Sequence, residues 1–151
     1  EMAVSDDMGS TESCRVTIGN GTLSVRAGLK QLLADPLLHT LSPQERASAE
    51  IVLAEVLNNV VEHAYARYDG ETEITVNHGA NGIYFSVTDH GLPFPGGNLP
   101  KGDLPDFGTD PGLPEGGFGW NLIRSLTRNL TYRRSGAQNR LRFQVVASEL
   151  L

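Results

Sequence analysis

The stretch from Ser42 to about Tyr68 constrains the fold more than any other part of the chain. It reads as one long amphipathic helix whose start is written into the sequence. In 42-SPQE-45, Ser42 can cap the amide of the third helical residue, Glu45 can reach back to the cap, and Pro43 occupies the first helical position. The helix then runs through ERASAEIVLAEVLNNVVEHAYARY, and Asp69-Gly70 stops it. At about 100° per residue, Leu53, Leu57, Val60, Val61, Ala64 and Tyr68 gather on one side, with Glu55, Asn59, Glu62 and His63 nearly opposite. An apolar side of that length has to be laid on another element.

The flanking sequence supplies strands for it to lie on. Residues 14-CRVTI-18 alternate and are β-branched. Val25, Leu29, Leu32 and Leu33 mark a shorter helix over 22–35, closed by Pro36. Beyond the long helix, 72-TEITVNH-78 and 82-GIYFSVTD-89 form a hairpin around Gly-Ala-Asn. The segments 130-LTYRR-134 and 140-RLRFQVV-146 form another around Ser135-Gly136, preceded by a helix over roughly Gly119 to Arg128. Between Gly91 and Gly119 lie nine of the 17 glycines and six of the eight prolines. A loop that long in a compact domain is functional or disordered. The order β-α-α-β-β-loop-α-β-β predicts an α+β two-layer sandwich, with helices on one face of a mixed, mostly antiparallel sheet. The 151 residues suit a single domain over 14–151, after an acidic, polar segment 1–13 expected to be disordered.

Several classes are argued against. No apolar run is long enough to span a bilayer, and EMAVSDDMGSTES does not resemble a signal peptide. Cys14 is the single cysteine, so an intrachain disulfide and a cysteine-built zinc site are excluded, and a cytoplasmic location is expected. The net charge of −6 argues against direct nucleic-acid binding. The cations are unevenly placed, however. Six of the 12 are Arg124, Arg128, Arg133, Arg134, Arg140 and Arg142, with no Asp or Glu among them. Such a cluster is either a solvated face or a docking surface for an acidic protein.

Three places could carry chemistry. Glu55 and Asn59 stack one turn apart: a carboxylate there can act as a base, and a neighbouring amide oxygen can hold Mg²⁺. On one helix alone, a wet surface is the simpler reading of the same pair. Asp89 closes a strand in 89-DHGLPF-94. It is either a routine turn residue or an acceptor for the exocyclic amine of adenine, with Gly91 letting the backbone approach the base. In 115-EGGFGWNLIRSL-126, Gly116, Gly117 and Gly119 precede a helix whose first amides are free. That is either a turn or a phosphate seat. It is not a P-loop, since no GK[ST] follows, and no βαβ unit makes it a dinucleotide fingerprint.

Taken in order, 54-AEVLNNVVEHAY-65, 89-DHGLPF-94 and 115-EGGFGWNLIRSL-126 resemble the motifs of the GHKL ATPase superfamily, whose ATP-binding domain has the Bergerat fold. Within it the chain is most similar to the bacterial anti-sigma-factor serine kinases (RsbW-like), over about residues 14 to 146. The resemblance implies ATP and Mg²⁺ as cofactors. It puts Glu55 at the catalytic base and Asn59 at the Mg²⁺ ligand. Asp89 falls on the adenine-binding acid with Gly91 beside it. Gly117 and Gly119 fall on the phosphate loop, where the amides around Phe118 and Gly119 would face the phosphates. His63 falls on a position the family often keeps, with packing, capping or phosphate contact as its open roles. The lid would span about 92–116 and is rich in proline. Glu62 stands where sensor kinases carry a cation, and no phosphoacceptor hairpin is present, so sensor-type histidine autophosphorylation is not expected.

The implied function is an ATP-binding anti-sigma regulatory factor that phosphorylates a serine or threonine of a STAS-type anti-sigma-factor antagonist. A sigma factor would be its other partner, and homodimerisation is common among such proteins. The alternative is a nucleotide-dependent module that sequesters a partner with little or no phosphotransfer. A third reading is the ATPase part of a larger machine.

Overall fold

The computed structural model describes residues 13–19, 21–101 and 117–147. Segment 1–12 and most of the expected lid, 102–116, lie outside the described residues. Strand β1 (Ser13–Ile18) is followed by helices α1 (Thr22–Leu33) and α2 (Pro43–Asn59). The hairpin β2 (Thr72–Gly79) and β3 (Gly82–Asp89) comes next, then α3 (Gly117–Ser125) and the hairpin β4 (Thr127–Ser135) and β5 (Gln138–Val145). The sheet order is β1-β2-β3-β5-β4, and each of its four ladders is antiparallel. The chain is α+β, as its element order predicts.

Alternation decides which face is covered. Val16, Ile74, Val87 and Leu141 share one register row, and Phe85 stands opposite Phe143 with the rings stacked 5.3 Å apart. These inward side chains are buried together with Leu32, Leu53, Leu57 and Ile123 from the three helices. Gly28 lets α1 lie directly on β1, because a Cβ there would meet Ile18 at 2.5 Å. The outer face carries Thr17, Glu73, Thr88, Arg140 and Arg133 in a single row.

The capping box at α2 forms as expected. The Glu45 amide donates to Ser42 Oγ at 3.1 Å, and the Ser42 amide donates to Glu45 Oε1 at 2.9 Å. Proline stops α1 at Leu33, then opens a short 3-10 turn, Pro36–Thr40, capped by the Asp35 side chain.

Two expected boundaries are corrected. The long helix ends at Ala64 rather than near Tyr68: after Asn59 it widens into one π turn, Val60–Ala64, closed by Tyr65 N–H to Val60 O at 2.9 Å. The Ala64 carbonyl then accepts from Leu92 N at 2.7 Å, so the helix gives its last acceptor to the loop after β3. Tyr68 is therefore off the helix and 49% exposed, and the buried side is Val52, Leu53, Val56, Leu57, Val60 and Ala64. Likewise α3 ends at Ser125 and β4 begins at Thr127, three residues before the strand expected at Leu130. A bulge between Arg128 and Thr131 breaks the alternation there. Asn129 sits in it at φ 56° and donates to Gln144 Oε1 at 2.6 Å, which supports the left-handed backbone an asparagine tolerates.

Candidate functional site

The end of α2, the ends of β3 and β5, the loop after β3 and the start of α3 enclose a cavity of about 270 Å³. Its floor is apolar, from Val56, Val60, Val87 and Leu141, and its wall is aromatic, from Phe94, Trp120 and Tyr132. Phe94 stands edge-on to both other rings, at 5.5 Å and 4.9 Å. The polar groups are few: Asn59, His63, Asp89 and Asn139. An apolar cavity with a handful of convergent polar atoms is the usual form of a small-molecule site.

Local backbone contacts hold this arrangement together. Gly91 is buried against the end of the π turn, where a Cβ would come 2.2 Å from the Ala64 carbonyl oxygen. Its amide donates to Asp89 Oδ1 at 2.8 Å. Beneath the turn, the Tyr65 hydroxyl donates to Glu71 O at 2.6 Å and accepts from His90 N at 2.8 Å. Burial pushes the Tyr65 phenol above its ordinary range, so this hydroxyl stays a donor and keeps the helix end tied to both strands.

Asp89 is only 5% exposed. Both donors that reach it, Gly91 N and Asn139 Nδ2 at 2.7 Å, go to Oδ1, and among the described residues none reaches Oδ2. A buried carboxylate oxygen without a donor is costly, so the cavity presents an acceptor that a ligand N–H would satisfy. Asn59 lines the same cavity with its side-chain amide free of partners among the described residues, leaving a neutral oxygen able to hold a hard cation. No cluster of three His, Cys, Asp or Glu occurs among the described residues.

The expected site residues therefore fall into two groups. Asn59, His63 and Asp89 meet at the cavity, with Gly91 directly behind Asp89. Glu55 does not line it. It lies one turn up α2 against the first turn of α3, where a Cβ on Gly119 would be 2.7 Å from Glu55 Oε1. Gly117 opens α3 and Phe118 follows in its first turn. The Phe118 side chain lies outside the described residues. His63 sits at the rim with its side chain exposed. Sequence reasoning missed Asn139, Tyr132 and Trp120. Phe94 and Trp120 both lay in quoted motifs, as the last letter of DHGLPF and the sixth of EGGFGWNLIRSL, without being read as cavity wall. The signal for Asn139 is its register, directly opposite Asp89 on the neighbouring strand.

Comparisons with known proteins agree with this fold. Residues 22–145 match the family model described as the histidine kinase-like ATPase domain. Among solved structures, the chain superposes on the crystal structure of the RsbU and RsbW domains of Rv1364c from Mycobacterium tuberculosis with a TM-score of 0.57 and 16% identity. The match covers 91% of this chain and 33% of that one, and at such identity the likeness is one of fold. No curated protein gives a significant sequence match. No helix among the described residues is long and apolar enough to cross a membrane.

Proposed function

The chain belongs to the histidine kinase-like ATPase domain family, and from that premise we propose that it is an anti-sigma regulatory factor that binds ATP in the cavity and phosphorylates a serine or threonine of a protein antagonist. One observation carries the nucleotide part: among the described residues, the buried Asp89 carboxylate keeps Oδ2 without a donor at an apolar, aromatic-walled cavity. That is the acceptor an adenine amine needs, and Phe94, Trp120 and Tyr132 supply flat apolar surface for a base.

In this reading, the Asn59 amide oxygen is the protein ligand for Mg²⁺, which would neutralise charge on the phosphates. The amides at the start of α3, around Phe118 and Gly119, would face the phosphates, since a helix start offers N–H groups without helical partners. Glu55, beside Gly119, takes the proton of the partner hydroxyl as its oxygen bonds to the γ-phosphorus and the β–γ bridging oxygen departs with ADP. His63, at the rim, is open to a phosphate contact. The outer sheet face supports an acidic antagonist or sigma factor as partner. Arg133, Arg140 and Arg142 stand there with no ion pair among the described residues, where Arg15–Glu73 at 3.5 Å is the one pair.

A second reading, nucleotide-dependent sequestration with little phosphotransfer, draws on the same Glu55. Its carboxylate rests against Gly119 and not on the cavity wall. Labelled ATP separates the two. With the cognate antagonist, the kinase reading expects transfer to a protein hydroxyl that falls about 10²–10⁴-fold in Glu55→Ala, the usual worth of a general base. Equal and negligible labelling by both proteins, with nucleotide-dependent partner capture intact, leaves sequestration.

A further inference from the structure

Asn139 is 5% exposed and stands opposite Asp89 where β5 begins. Its amide orientation is set by the groups around it. Oδ1 accepts from the Tyr132 hydroxyl at 2.7 Å and from Arg134 at 3.1 Å, so the NH₂ group must face the other way. On that side it donates to Asp89 Oδ1 at 2.7 Å and reaches the Leu92 and Gly91 carbonyls at 3.0 Å and 3.3 Å. A flipped amide would set its oxygen against the Asp89 carboxylate and its hydrogens against two donors. Arg134 also binds the Gly91 carbonyl at 2.6 Å, and the Tyr132 hydroxyl accepts from Phe94 N at 3.1 Å. The same few groups therefore hold both Asp89 and the first residues of the loop that walls the cavity.

The consequence falls on the other carboxylate oxygen. With Gly91 N and Asn139 Nδ2 both committed to Oδ1, the carboxylate plane cannot rotate without losing a bond, and Oδ2 remains as a fixed acceptor that no other described residue shares. A fixed acceptor takes an exocyclic amine and repels a carbonyl oxygen in the same place. We propose that Asn139, oriented by Tyr132 and Arg134, is a positioning residue that sets the preference of this cavity for 6-amino over 6-oxo purine nucleotides. This rests on reading the cavity as a purine-nucleotide site. Asn139 acts through Asp89 and does not itself touch the base.

The test is calorimetric titration of the full chain with three magnesium diphosphates: ADP, IDP, and the purine riboside analogue that lacks a 6-substituent. Wild type is expected to bind ADP at least about tenfold more tightly than the other two, the worth of one hydrogen bond to a charged group. In Asn139→Leu the ADP affinity is expected to fall about tenfold to meet the analogue, while the analogue stays within about twofold of its wild-type value. A merely structural role would lower all three together. Tyr132→Phe, which keeps the ring and removes only the hydroxyl that orients the amide, is expected to shrink the ADP-to-analogue ratio in the same direction and serves if Asn139→Leu does not fold. A wild type that binds all three alike overturns the purine reading and the proposal with it. A wild-type preference for ADP that survives both substitutions, or that falls only in step with the analogue, overturns the role of Asn139 alone.

Discussion

At Gly91 a single added carbon would collide with the backbone that ends α2. Its Cβ would lie 2.2 Å from the Ala64 oxygen and 2.5 Å from the Ala64 carbonyl carbon, and a main chain cannot swing aside as a side-chain tip can. Gly91→Ala is expected to destabilise the fold by about 1–3 kcal/mol, the range for forced overpacking, and to weaken nucleotide binding through the displaced Gly91 N–H on Asp89. Denaturant melts and nucleotide titration read the two effects separately. An alanine variant as stable as wild type would mean that the strand end does not press on the helix end. The sequence marked Asp89 as a turn residue or an acceptor and Gly91 as a place where the backbone could approach a base; the close approach at Gly91 is instead to the end of the long helix. Asn139 and Tyr132 carried no such mark. Each is an ordinary strand residue until the β3–β5 register sets Asn139 against Asp89 and points the Tyr132 hydroxyl at it. Cys14 shows the opposite case, a residue with nothing to add to the site: burial and Asp35 push its thiol up to about 11, which keeps it protonated and unreactive.

The elements differ in how much of themselves they disclose. The start of α2 is local chemistry, and its capping box was readable letter by letter. Its end is tertiary: Ala64 hands its carbonyl to Leu92, and no periodicity in HAYARY reports that. The β4 edge was blurred by its bulge, which shifts the alternation between Arg128 and Thr131. Pairing then brings out a tension that the linear sequence conceals. Arg133 and Arg140 stand directly opposite each other on the outer face, with no ion pair among the described residues. Like charges in that relation are destabilising. Arg140→Thr, away from the cavity, is expected to raise stability by about 0.5 kcal/mol at low salt, with the gain shrinking as salt screens the pair. Urea melts at two ionic strengths measure it, and a loss of stability at low salt would show that the two guanidinium groups do not repel.

For the whole molecule, the sheet with helices on one face follows from alternation and from one long amphipathic helix that needs a floor. The cavity follows from where that helix stops, so its existence depends on the least readable boundary in the chain. The fold spends its buried polar groups unevenly. Among the described residues, Gln144 and Asn139 are satisfied by the protein, whereas Asp89 is half satisfied and the half-buried Asn59 side chain has no partner. A molecule built this way gains stability when a ligand completes the pairing. Ligand at a hundred times its dissociation constant adds about 2.7 kcal/mol to unfolding. For a chain of this size, that moves the melting midpoint up by roughly 5–10 °C. Asp89→Asn keeps the shape and the acceptor at Oδ1 but turns an N–H donor toward the ligand amine, so two donors meet. That variant is expected to melt within a few degrees of wild type without nucleotide and to lose most of the shift that magnesium ADP produces. Thermal melts of both proteins, with and without nucleotide, decide it. If Asp89→Asn keeps the full shift while its own midpoint collapses, Asp89 is a folding residue and the nucleotide sits elsewhere.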